Sequence, residues 1–149
     1  MEGKKLAAIL LIATTAVAIA VIVDRTYISF RTLEEKHLNS TLVNCSELTM
    51  YRLEVTKGLF SPIRKTFTLQ CMKFEDVESA ANGYERVKAT MTSNVEIIED
   101  LGNNVTLRAG KNLLASLLKT DEKILYVVYE YDTDPQILEG VVEWGRKHC

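Results

Sequence analysis

The chain has 149 residues, of which 18 are lysine or arginine and 20 are aspartate or glutamate, so its formal net charge is −2. This balance excludes the broad basic face that nucleic-acid binding requires, and no nucleic-acid partner is expected. The length suffices for one domain that buries a core without a metal, and three cysteines allow one disulfide within the chain.

The first predicted element is an uncharged stretch from Leu6 to Val23, preceded by Lys4 and Lys5. As a helix it would be about 27 Å long, close to the roughly 30 Å hydrocarbon core of a bilayer. It lacks the polar stripe that a helix buried in a soluble domain shows. We therefore predict a transmembrane anchor, or an uncleaved signal, over residues 6–23.

Flanking charges and possible cleavage motifs indicate the orientation of this segment and whether it is removed. Residues 1–5, which include Lys4 and Lys5, are expected to stay in the cytoplasm as a short tail, which places the long C-terminal part outside. The triplets Ala16-Val17-Ala18 and Ala18-Ile19-Ala20 also fit a signal cleavage site, and cleavage would give a secreted protein. Because the apolar run continues past both triplets, the sequence favours a membrane anchor.

Residues 24–44 are predicted to prolong this helix as a stalk. Tyr27, Phe30, Leu33 and Leu38 recur there at near-helical spacing. A polar cluster then ends the stalk, and the globular part begins.

The first half of the domain, residues 45–149, is predicted to contain a hairpin and a helix. Residues 48–55 and 65–74 alternate between apolar and polar side chains, which indicates two half-buried strands. The segment 74–93 has one apolar side at helical spacing and predicts an amphipathic helix.

The second half is predicted to alternate strands and helices. Residues 94–110 form a hairpin that turns at Gly-Asn-Asn, and residues 111–119 form a short helix with one leucine-rich side. Residues 123–131 indicate a central strand covered on both faces, and Asp134 caps a last helix. The resulting order, ββαββαβα, predicts an α+β fold with helices on one face of a mainly antiparallel sheet.

Two kinds of motif depend on the compartment. Acceptor triplets for glycosylation begin at Asn39, Asn44 and Asn104 and matter only if the chain enters a glycosylating compartment. Cys45 and Cys149 lie in polar segments near the ends of the domain, so any disulfide is expected to join them. The alternative is that no disulfide forms.

Few residues suggest catalysis. His37 and His148 have no metal-ligating neighbours at suitable spacing, so neither a metal nor a cofactor site is predicted. Glu96, Glu99 and Asp100 are the candidate carboxylates for acid–base chemistry, although acidic residues also keep a sheet edge solvated.

The connection 56–65 is the strongest candidate binding surface. Its tip is apolar and its flanks are basic, which suits docking on a protein partner or on anionic lipid headgroups. Alternatively, the apolar side chains fold back onto the core. The predicted binding residues are Lys57, Leu59, Phe60, Ile63, Arg64 and Lys65.

These features predict a single-pass membrane protein. Its domain outside the membrane would be an interaction or structural module that binds another envelope or surface component. One alternative function is that of an extracytoplasmic hydrolase that uses carboxylates. Another is that of a secreted small-ligand binder released by signal cleavage.

Overall fold

The computed structural model describes residues 2–149, except for the side chain of Leu42. An apolar N-terminal helix precedes a seven-stranded antiparallel sheet with two further helices, which confirms the predicted α+β class. The elements in chain order are α1 (Glu2–Thr26), β1 (Ile28–Leu38), a 3-10 helix (Ser40–Leu42), β2 (Glu47–Lys57), β3 (Ile63–Lys73), α2 (Val77–Thr92), β4 (Ile97–Asp100), β5 (Asn104–Arg108), β6 (Leu113–Thr120), β7 (Lys123–Glu130) and α3 (Pro135–His148).

The strands lie in the order β1-β2-β3-β7-β6-β5-β4, and every neighbouring pair is antiparallel. β7 occupies the centre, as its run of apolar residues predicts. Leu125 and Val127 on β7 pack in one core cluster, whereas Ile124 packs in a second cluster. Because successive strand residues point to opposite faces, β7 is buried on both sides.

The two helices cover opposite faces of the sheet, so the expectation that they share one face is wrong. α3 packs over Leu69 and Cys71 of β3. α2 packs over Met72 and over Phe74, which follows the same strand. Since β3 and β7 are apolar on both sides, one layer of helices would leave half of their side chains in water. The result is three layers, with the sheet in the middle.

Both helices begin at an aspartate cap, and the cap at Asp134 was predicted from the sequence. The Asp76 carboxylate accepts the backbone N–H of Ser79 at 2.7 Å, and Asp134 accepts that of Gln136 at 2.9 Å. Pro135 occupies the first turn of α3, where its missing N–H costs nothing.

α1 has the length and composition of a membrane-crossing helix. It spans 25 residues, its most apolar stretch of 18 residues has a mean hydropathy of 2.9, and none of its residues is buried against the rest of the chain. The predicted apolar helix over residues 6–23 is therefore present as one uninterrupted element.

The predicted stalk helix, residues 24–44, is wrong beyond Thr26. Residues 28–38 form β1, which pairs with β2 from Ile28↔Lys57 to Leu38↔Leu48. Phe30 packs against α3 and Leu38 against the cluster under α2. Pairing along a whole strand outweighs a weak helical periodicity, so the sheet begins ahead of residue 45.

The predicted short helix at residues 111–119 is also wrong, because this segment forms β6 between β5 and β7. Leu118 packs on the α3 side and Leu117 on the α2 side. A strand buried on both faces has consecutive apolar residues, and such a run resembles a helix in sequence.

The packing of β1 is open to a direct test. Phe30→Ala is expected to lower the free energy of unfolding by about 2 kcal/mol, because the ring packs against α3 and its loss leaves a cavity. Leu33→Ala is the matched control, since Leu33 is 38% exposed and should change stability by less than about 0.5 kcal/mol. Chemical denaturation followed by circular dichroism measures both. Equal effects would mean that residues 28–38 do not pack as a strand.

Candidate functional site

The predicted binding loop is the tight turn of the β2–β3 hairpin, and we call residues 59–63 the tip. Lys57 pairs with Ile63 at the ends of the two strands. Gly58 has a φ of +97°, and a Cβ there would lie 2.9 Å from the Ser61 carbonyl oxygen. Glycine is therefore required at this position, and it fixes the shape of the turn.

Asp24, in the last turn of α1, holds the tip. Its Oδ1 accepts the backbone N–H groups of Leu59 at 2.8 Å, Phe60 at 2.7 Å and Ser61 at 3.4 Å. The N–H of Gly58 also donates to the carbonyl of Tyr27 at 2.9 Å. These bonds place the tip directly beside the C-terminal end of the apolar helix.

The apolar side chains of the tip do not fold back onto the core. Leu59 is 48% exposed, Phe60 68% and Ile63 59%. The alternative reading, in which these side chains cover the core, is therefore wrong. The tip presents a compact apolar surface with no partner in the part of the chain that the structure describes.

The basic residues around the tip are less available than the sequence suggests. Lys57 donates to Asp134 and also to the Gln136 side chain at 3.1 Å. Lys65 lies 3.3 Å from Glu130. Of the predicted basic residues, only Arg64 is exposed and lacks an ion pair within residues 2–149. The surface of the tip is thus mainly apolar, and Arg64 adds a smaller basic contribution.

The Lys57 contact also sets the charge state of the α3 cap. The Lys57 hydrogen bond, followed by that of the Gln136 N–H, holds the pKa of Asp134 below its ordinary value. The contribution of Asp134 to stability is therefore present above the unfolded pKa and is lost as the pH falls through the lowered folded pKa.

This linkage predicts a pH-dependent loss of stability. Asp134→Ala is expected to cost about 1 kcal/mol near neutral pH, because it removes the cap of α3. The difference in the free energy of unfolding between this variant and the native chain should shrink below pH 3.8, the pKa of Asp134 in the unfolded chain. Below that pH, Asp134 becomes protonated in the native protein. Asp132→Ala is the control, and should be nearly neutral. Urea unfolding across a pH series measures the effect, and a difference that grows on acidification would contradict it.

The predicted Cys45–Cys149 disulfide is wrong. Cys149 is bonded to Cys71, with 6.0 Å between their Cα atoms, and Cys45 is free. Cys71 lies on the face of β3 that α3 covers, and α3 ends beside that strand. Cys45 instead lies just ahead of β2, where its Sγ contacts the carbonyl of Glu47 at 3.4 Å. The bridge thus pins the C-terminal helix to the sheet.

Peptide mapping without reduction should recover a Cys71–Cys149 linked pair and an alkylated Cys45. Because the bridge closes a loop of 78 residues, its reduction should lower the free energy of unfolding by about 4 kcal/mol in the chain-entropy model. Cys45→Ser is the matched control and should leave both the linked pair and the stability unchanged. A Cys45–Cys149 peptide would contradict this connectivity.

The free thiol of Cys45 lines a polar cleft of about 330 Å³ at the end of the sheet far from α1. Glu75, Asn82 and Arg86 also line this cleft. Burial raises the pKa of the Cys45 thiol, which keeps it protonated at neutral pH. None of the described side chains forms a hydrogen-bonded base for it, so the cleft lacks an activated nucleophile.

Two of the three candidate catalytic carboxylates, Glu96 and Asp100, are paired with basic side chains. Glu96 pairs with Arg108 at 2.7 Å. Asp100 contacts Lys88 at 3.0 Å, and its pKa is lowered chiefly by the backbone N–H of Gly102. Within residues 2–149 no group of three metal-ligating side chains occurs. Glu96 and Asp100 therefore serve as salt-bridge partners, Asp100 also caps a turn, and Glu99 is exposed on β4.

The two histidines also have structural contacts. His37 Nδ1 lies 3.2 Å from the Thr49 hydroxyl, and the His148 ring stacks on Trp144. His37 lies on β1, and His148 is the last residue of α3.

The three glycosylation triplets differ in accessibility. Asn39 caps the 3-10 helix in an exposed turn, and Asn44 is exposed with a φ of 52°. Asn104 lies in β5, and its Oδ1 is buried. Asn39 and Asn44 are therefore accessible at the surface, whereas Asn104 is partly buried within the sheet.

A further surface was not found by sequence reasoning. β4 forms one edge of the sheet and, within residues 2–149, pairs only with β5. Its exposed apolar residues, together with those that flank it, are Val95 (38%), Ile97 (47%), Ile98 (45%) and Leu101 (65%). We call these four residues the β4 edge patch. Exposed apolar groups beside unpaired strand backbone are suited to strand addition by a partner.

Comparisons with protein-family models, with curated proteins and with solved structures found no match.

Proposed function

We propose that the chain is a single-pass membrane protein whose domain lies outside the membrane and binds another envelope or surface protein. The β4 edge patch is the binding surface in this proposal. It replaces loop 56–65 as the site for a protein partner, because that loop is turned toward the end of α1.

Three features support the location. α1 is long and apolar enough to cross a bilayer. Lys4 and Lys5 precede its apolar run, and basic residues favour the cytoplasmic side. The Cys71–Cys149 bridge is of a kind that persists in oxidising compartments outside the cytoplasm. Together they favour a cytoplasmic N-terminus and an extracytoplasmic domain.

The exposure of the β4 edge patch carries the binding proposal. Single exposed apolar residues are ordinary, but four of them on one short edge strand and its flanks form a patch. An added strand would satisfy the free backbone groups of β4 and bury Ile97 and Ile98. A bulge between Ile97 and Glu99 keeps the paired stretch short, which favours a specific partner over open-ended aggregation.

Photo-crosslinking from the patch tests both the location and the binding. A photoreactive amino acid replaces Ile98 in the full chain, and the cells are irradiated. The extracytoplasmic face is then biotinylated with an impermeant reagent. We expect the chain to be captured on streptavidin together with one discrete protein adduct, because the patch is both outside and occupied. Blotting for the chain measures capture and adduct separately.

The same photoreactive residue at Val77 is the matched control, since Val77 is 56% exposed and apolar but lies on α2. It should be captured without the adduct. An adduct of equal yield from Val77 would contradict the assignment of the β4 edge patch. Failure to biotinylate the chain while known surface proteins are labelled would contradict the proposed location.

A further inference from the structure

We propose that the tip, residues 59–63, inserts into the interface of the membrane that α1 crosses and forms a second membrane contact for the domain. This inference rests on the proposed function only in that α1 spans the bilayer. The occupant of the tip is lipid, namely the region where headgroups meet acyl chains.

The position of the tip along α1 is the first argument. Asp24 directly follows Val23, the last residue of the apolar run, and it holds the amides of Leu59 and Phe60. If α1 spans a bilayer, Val23 lies near the edge of the hydrocarbon core. The tip is bonded at the same level, so its exposed side chains meet the interface rather than bulk water.

Other exposed apolar and aromatic side chains occur at the same end of the molecule. Tyr27, between α1 and β1, is 41% exposed. Tyr131, just after β7, is 64% exposed, and the Lys65–Glu130 ion pair ties that end of β7 to the start of β3. Aromatic side chains are enriched where a membrane meets water. The end of the domain beside α1 thus has the composition of an interfacial surface.

The charges indicate an apolar contact with a limited basic rim. Lys57 and Lys65 are engaged by acidic side chains of the same domain. Arg25 and Arg64 are exposed and have no ion pair within residues 2–149, so they can face phosphate groups. Insertion should therefore proceed in zwitterionic lipid, since it depends on Leu59, Phe60 and Ile63 rather than on a basic cluster.

The length of the apolar run agrees with this arrangement. Eighteen helical residues, Leu6 to Val23, span about 27 Å, slightly less than a hydrocarbon core of roughly 30 Å. An apolar tip at the end of the helix extends the lipid-compatible surface at this side and reduces the mismatch.

Lipid-resident quenching of a probe on the tip tests the proposal. The full-length chain with Phe60→Cys in a Cys45→Ser background is labelled with an environment-sensitive fluorophore and reconstituted into phosphatidylcholine vesicles. Some vesicles contain lipid that has a quencher near the top of the acyl chain. We expect blue-shifted emission and strong quenching by that lipid, because the probe would lie in the interface.

Val77→Cys in the same background is the matched control. Val77 is 56% exposed, against 68% for Phe60, and lies just beyond the end of β3 that is opposite the tip. Its probe should emit as in water and should not be quenched by the lipid. Asp24→Ala, which removes the acceptor for the tip amides, should abolish most of the quenching at residue 60, whereas Asp24→Asn retains an acceptor oxygen and should preserve most of it.

The outcomes separate this inference from the proposed function. If the chain fails to float with the vesicles, α1 is not an anchor and both fail. If it floats but the residue 60 probe emits as the Val77 control does, only the tip proposal is overturned. Quenching that requires anionic lipid would also overturn it, because the contact would then be electrostatic. A probe that is shielded only in native membranes would identify a protein occupant and overturn the lipid assignment.

Discussion

The antiparallel pairing of β3 with β7 is the constraint on which the rest of the structure depends. It joins a three-stranded half, β1-β2-β3, to a four-stranded half, β4-β5-β6-β7, and it is the only pairing between them in residues 2–149. Each half is followed by a helix that packs partly on the other half: α2 on β6 and β7, and α3 on β2 and β3 as well as β7. Neither half can therefore complete its core alone. The Cys71–Cys149 bridge closes the same arrangement, because Cys71 lies within the β3–β7 pairing.

Sequence pattern predicted the elements that have a clear local signal and missed two strands, β1 and β6. α2, α3 and the hairpin β2–β3 have clear periodicity and clear caps, so they lie close to the predicted positions. β6 was predicted as a helix because both of its faces are buried, which gives consecutive apolar residues. β1 was predicted as a helix because its pairing with β2 leaves no signal in the residues of β1 themselves. The second helical layer had one local signal, the adjacent apolar residues Cys71 and Met72, which must point to opposite faces of a strand.

The candidate surfaces were predictable to different degrees. Leu59, Phe60 and Ile63 stand out because a short connection with a glycine and a proline rarely carries so many large apolar residues. The role of Asp24 was not predictable, since its partners are backbone N–H groups, which leave no mark on the sequence. The β4 edge patch was missed for another reason. Ile97 and Ile98 were assigned to a strand, but whether a strand lies at an edge depends on the order of all seven.

The junction between α1 and the sheet has a mechanical consequence. Tyr27 alone separates α1 from β1. Its N–H donates to the carbonyl of Val23, and its own carbonyl accepts from the N–H of Gly58. These two hydrogen bonds restrict rotation of the backbone at Tyr27. For such a helix seated in a bilayer, tilt and axial rotation are not independent of the domain: torque on either is transmitted to the other. A small change in helix tilt would produce a large displacement of the distant strand β4. Because helix tilt depends on bilayer thickness, membrane thickness would determine the direction in which that edge of the sheet points.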